Sequence, residues 1–74
     1  MSIAPSIEVV VNGEPRRVTD GLTVAGLLAE LAVDPARVAL ELDREIVRRP
    51  LWESTPVRPG SRVEIVWFVG GGRR

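Results

Sequence analysis

Apolar positions recur along this chain with two different periods. Ile7, Val9, Val10 and Val11 are β-branched, and Asn12-Gly13 follows them, a dipeptide that readily takes positive φ at both centres of a tight hairpin turn. The pattern predicts a hairpin whose return strand runs from Glu14 to Thr19. Pro15, Arg16 and Arg17 spoil the alternation there, and a proline within a strand is tolerated at a sheet edge, so an edge strand is predicted. The period then changes. Val24, Leu27, Leu28 and Leu31 stand at i, i+3, i+4 and i+7, one stripe of an α-helix with a single buried face. Thr23 is placed to cap that helix, and Leu22 with Leu27 has the spacing of a hydrophobic staple. Gly26 is discordant, since glycine inside a helix costs about 1 kcal/mol relative to alanine; its missing side chain is expected to let a strand approach closely. The helix should end before Asp34-Pro35.

Period two returns with Val38, Leu40 and Leu42, which alternate with Ala39, Glu41 and Asp43 as in a strand with one wet face. Asp43-Arg44-Glu45 turns the chain into a short strand at Ile46-Val47. Arg48 to Trp52 reads as an irregular crossing, and Pro59-Gly60 as a further turn. The last strand, Arg62 to Val69, has Val63, Ile65 and Trp67 on one face and Glu64, Val66 and Phe68 on the other. Apolar groups on both faces predict a central strand. The order strand, strand, helix, strand, short strand, strand gives an α+β fold, a mixed sheet of four to five strands packed on one helix. Residues 1–69 are expected to form this one domain, and residues 70–74 a glycine-rich tail that buries nothing and should be flexible.

Composition narrows the chemistry. The chain has 74 residues and neither Cys nor His, so thiol nucleophiles, imidazole bases and the usual zinc sites are absent. Ten basic residues, all arginine, balance ten acidic ones, so no long-range attraction to nucleic acid or to an anionic membrane is expected. No apolar run approaches the roughly 20 residues needed to span a bilayer, and no export signal or membrane anchor is expected. A secreted domain this small is more often stapled by disulfides, which favours a cytoplasmic location.

The remaining candidate chemistry is the terminal run Gly70-Gly71-Gly72. Taken alone, such a run reads as readily as a flexible end or cloning scar as it does as a functional tail. Its position directly after the most apolar strand favours another reading: a rigid body presenting a thin tail that fits a narrow channel in another protein. A terminal glycine carboxylate also lacks a Cβ to hinder attack at its carbonyl carbon. It therefore suits activation as an acyl adenylate and displacement by a sulfur nucleophile.

The stretch Val38 to Trp52, then Pro59-Gly60-Ser61-Arg62-Val63-Glu64-Ile65-Val66 and the closing Phe68-Val69-Gly70-Gly71-Gly72, resembles the ThiS family of sulfur carriers in thiamine biosynthesis. Asn12-Gly13-Glu14 and the helix start Thr23-Val24 fit as well, so the similarity runs from about Ile7 to Gly72. Each motif is short, and their order carries the resemblance. It implies a ubiquitin-like β-grasp fold and a carrier that is not itself an enzyme. It also implies that Gly71 and Gly72 carry the sulfur, as a thiocarboxylate on the terminal glycine. The tail Gly70-Gly71-Gly72 would enter a ThiF-like adenylating enzyme, which uses ATP and Mg²⁺; the carrier itself binds no cofactor. A sulfur donor loads it, and a ThiG-like thiazole synthase receives the sulfur. The departure is Arg73-Arg74, which follows the glycines where the family pattern ends in diglycine. Proteolytic removal, an artefact or odd gene end, and loss of carrier activity all account for it, removal or artefact being favoured.

Val66 and Phe68 are candidates for partner docking, with core packing an equal alternative for Phe68; Trp67 is expected in the core. Trp52 reads either way. The pairs Arg16-Arg17, Arg48-Arg49 and Arg73-Arg74 read as solvated surface rather than as a phosphate site, and Asp43 and Glu45 as a solvated turn rather than a metal or acid/base site. Rival functions are a MoaD-like carrier for molybdopterin or another sulfur pathway, a protein modifier conjugated through its terminal glycine, and a β-grasp binding module without sulfur chemistry.

Overall fold

A computed structural model of the protein describes residues 5–68. The expected fold class is present. Five strands, β1 (Ser6–Val11), β2 (Glu14–Thr19), β3 (Val38–Leu42), β4 (Glu45–Ile46) and β5 (Arg62–Trp67), form one mixed sheet in the order β2-β1-β5-β3-β4. A single α-helix, α1 (Val24–Glu30), packs on one face, and short 3-10 turns occupy Pro35–Arg37 and Arg49–Leu51. β2 lies at an edge and β5 in the centre, as the proline and the two apolar faces predicted.

The core sits between sheet and helix. Val9, Val24, Leu27, Val38 and Val63 are fully covered, each from an inward position of its strand or from the helical stripe. Thr23 caps α1 as expected, its Oγ1 accepting from the Gly26 amide at 3.3 Å. Two further amides at that end, Val24 and Ala25, donate to the carbonyls of Thr55 and Trp52 at 2.9 Å, so the long crossing between β4 and β5 satisfies the free helix terminus. Gly26 does not serve a strand. A Cβ there would meet Leu22 Cδ2 at 3.1 Å, so the missing side chain makes room for the leucine just ahead of the cap.

The helix closes with the Val33 amide on the Leu28 carbonyl (2.9 Å) and the Ala32 amide on that of Ala29 (3.1 Å), while Ala32 takes φ +61°. This is a Schellman stop with alanine in the left-handed position that glycine usually fills. Both hairpins turn on left-handed pairs, Asn12 and Gly13 joining β1 to β2 and Asp43 and Arg44 joining β3 to β4.

The strand that leads to the glycine run is held from both sides. β5 runs antiparallel to β3, from Leu42 opposite Val63 to Val38 opposite Trp67. It runs parallel to β1, where the Val10 amide bonds the Ser61 carbonyl (2.9 Å) and the Asn12 amide that of Val63 (2.8 Å). β1 then turns away, and the Asn12 side chain supplies the next rung. Its Oδ1 accepts from the Ile65 amide at 2.7 Å and its Nδ2 donates to the Ile65 carbonyl at 3.2 Å. At the other end of β5, Asp43 Oδ1 accepts from the Arg62 amide at 2.8 Å.

Two substitutions to glycine are expected to act in opposite directions. Asn12→Gly keeps the turn but strips Ile65 of two partners, and should cost about 1–2 kcal/mol. Ala32→Gly relieves a left-handed Cβ and should stabilise by up to about 1 kcal/mol. Urea midpoints at constant m-value measure both; the same sign for both would contradict this account.

Candidate functional site

Because successive residues of a strand alternate between faces, the helix covers Val63 and Ile65 and leaves Glu64, Val66 and Phe68 on the opposite side of the sheet. No element packs there among the described residues. Val66 is 60% exposed and Phe68 55%, which removes core packing as the alternative for Phe68. The face continues through Ala39 and Glu41 on β3, opposite Val66 and Glu64, and Ile46 on β4, opposite Glu41. Ile46 is the most exposed large apolar residue described, at 74%. The two-residue strand that places it beside Glu41 was only partly legible, so sequence reasoning missed it.

Phe68 is also the last residue described, and it is anchored. Its amide donates to the Arg37 carbonyl at 2.9 Å, one rung beyond the Val38–Trp67 pair. The described end of β5 therefore lies beside the exposed apolar patch. Gly70, Gly71 and Gly72, with Arg73 and Arg74, lie outside the described residues, as do the proposed tail boundary and the last residue of the predicted strand, Val69.

Trp67 departs from expectation. It was expected in the core and is 51% exposed. It does point to the helix side, but α1 stops at Glu30 and β1 at Val11, so β5 outruns both of the elements that would cover it. What remains beneath it is a depression of about 390 Å³ bordered by Leu31, Val33, Asn12, Glu14 and Arg16. Trp52, left open, is buried, and its indole N–H donates to the Val47 carbonyl at 2.7 Å.

Arg49 is exposed, in line with its reading as solvated surface, and it also makes contacts within the chain. Its guanidinium donates to the carbonyls of Pro35 and Val38, the latter at 3.2 Å, and lies 4.8 Å from the centre of the Trp52 ring. It thereby ties the crossing to the start of β3. The shallow hollow beside it, between Ala25, Pro35, Pro50 and Glu53, holds no paired acid and base. Among the described residues, no three potential metal ligands cluster, and no helix is long and apolar enough to cross a membrane.

Comparison with known proteins is consistent with that arrangement. The family model described as ThiS family matches residues 9–72. The crystal structure of thiamine biosynthesis protein ThiS from Geobacter metallireducens is 36% identical, superimposes with a TM-score of 0.79, and aligns over 89% of this chain and 100% of its own. Uncharacterized protein ycf40 of Porphyra purpurea is 33% identical over 70 residues, 95% of this chain and 99% of that protein. A thiazole synthase of Paramagnetospirillum magneticum is 42% identical over 66 residues, 89% of this chain, and this chain spans only 20% of that protein's length. With the match over most of its length and the same fold, the chain belongs to the ThiS family.

Proposed function

We propose that this protein is a sulfur carrier of thiamine biosynthesis, with the sulfur held as a thiocarboxylate on Gly72. The supporting observation is that the family match runs through the three glycines to residue 72, directly beyond a strand anchored up to Phe68. In the proposed cycle a ThiF-like enzyme joins the Gly72 carboxylate to AMP from MgATP, releasing pyrophosphate. Hydrosulfide released by the sulfur donor then attacks the carbonyl carbon; the C–S bond forms as the C–O bond to AMP breaks, AMP leaves with the carboxylate oxygen, and loss of the S–H proton gives the thiocarboxylate. The thiocarboxylate passes its sulfur to a ThiG-like thiazole synthase. That proteins named thiazole synthase include a segment similar to this chain supports this pairing.

Chain geometry then bears on docking. The residues from Val69 to Gly72 reach at most about 14 Å when fully extended. An enzyme that takes Gly72 into its active site must therefore lie against the end of β5, where Val66 and Phe68 are exposed. Desolvating those two side chains would supply the apolar part of the contact.

Arg73-Arg74 specifically favours a second reading, a β-grasp binding module without sulfur chemistry, because an arginine carboxylate in place of the Gly72 carboxylate brings a Cβ to the reacting carbon. Intact mass of the protein from its own cells, before and after incubation with its activating enzyme, ATP and a sulfur source, separates the two. A species ending at Gly72 that gains the mass of one oxygen-to-sulfur exchange is expected. A chain that stays unchanged and still ends at Arg74 would establish the module instead.

Two substitutions test the parts. Gly72→Ala should abolish thiocarboxylate formation while leaving the urea midpoint untouched, and sulfur delivery by that variant would refute the assignment of the terminus. Phe68→Asp should raise the KM for the carrier in the adenylation assay by about tenfold or more with little change in stability, because it places a charge where an apolar contact is proposed.

A further inference from the structure

Trp67 and Phe68 are consecutive, so they stand on opposite faces of the sheet, and both are half-exposed. Phe68 belongs to the open face. Trp67 lies on the helix side, over the depression of about 390 Å³ that forms where β5 outruns α1 and β1. That depression is an apolar socket rather than an ion site. Leu31 and Val33, each only partly buried, line it together with Trp67. The Asn12 side chain in its wall is engaged with Ile65 through both its oxygen and its nitrogen. Glu14 and Arg16, which border it from β2, carry opposite charges, so no net field selects an ion there. A large aromatic ring half in water beside uncovered aliphatic groups is the composition of an interface anchor, where tryptophan is over-represented.

Resting on the carrier reading, we propose that this depression is a second docking surface for the ThiF-like activating enzyme, which sets an apolar side chain into it against the Trp67 ring. The length of chain beyond Phe68 argues for this occupant. Gly72 can stand at most about 14 Å past Phe68, so an active site that encloses it begins at the end of β5. A single sheet with its side chains is only about 10 Å thick, less than that reach. The mouth of a channel that surrounds the tail therefore meets both faces of the strand end, Val66 and Phe68 on one and Trp67 on the other. Contact on one face alone leaves the strand end free to tilt; contact on both fixes the direction in which the glycines are presented.

The test uses the chain ending at Gly72 with both tryptophans replaced by 5-fluorotryptophan, observed by fluorine NMR as the purified activating enzyme is added. Trp52 is buried and Trp67 half-exposed, so in the free carrier the Trp67 resonance should differ between H2O and D2O and that of Trp52 should not. Trp67→Leu assigns the two signals. On binding, the Trp67 resonance should shift and lose its solvent dependence while that of Trp52 stays in place. Trp67→Ser should raise the KM for the carrier about tenfold or more with kcat unchanged, and Trp67→Phe should restore most of the loss. If the carrier is adenylated normally and Trp67 keeps its solvent dependence at saturating enzyme, this inference falls and the carrier reading stands. If the carrier is neither bound nor adenylated, both fall. A Trp67 resonance that moves with the carrier's own concentration would make a second copy the occupant, and one already shielded from solvent in the chain retaining Arg73-Arg74 would make the chain's own end the occupant; either overturns the proposal.

Discussion

The structure depends on how β5 is paired. A central strand normally has neighbours along its whole length, but the two neighbours of this one end at different places. On one side β1 stops at Val11 and the Asn12 side chain takes one more rung at Ile65; on the other, pairing continues to the Phe68 amide on Arg37. A side-chain amide carries the same donor and acceptor as a peptide group, so it can end a ladder without leaving either partner of Ile65 unpaired. Pairing is therefore kept to the last described residue while Val66 and Phe68 stand clear of the core.

Local signals made most of the fold legible. The Asn12-Gly13 turn, the Thr23 cap, the helical stripe and the apolar last strand each depend on neighbours in sequence, and each is where its residues indicate. What was missed depends on long-range contacts. Asn12 reads as a turn residue, and nothing local says that its side chain meets a residue 53 positions away. Arg49 reads as a surface cation, although its carbonyl partners are brought to it by the crossing. Alternation correctly gives the face of Trp67 but not how far the helix extends over that face. The Ala32 stop is illegible because the residue usually found in that conformation is absent.

The candidate site was legible in part. Residue type alone singled out Val66 and Phe68, since apolar groups on both faces of a strand cannot all be covered by one helix. Ile46 and the Glu41–Glu64 opposition were not legible, because they arise from register. A shift of β3 against β5 by one residue would send Glu41 to the core face and Leu40 to solvent, so the burial of Val38 and Leu40 fixes the opposition of the acids. The same core packing that stabilises the sheet thus sets the residues that face one another on its open side.

Glu41 and Glu64 lie opposite one another on the sheet face that the helix leaves open. Elsewhere the chain uses its charged and polar groups economically: Asp43 takes the first amide of β5, Glu30 Oε2 accepts from the Thr19 amide at 2.8 Å, and Arg49 holds two carbonyls. Against that pattern, the open face of the sheet, where Val66, Phe68 and Ile46 stand exposed, is the part of the described surface that the fold itself does not use.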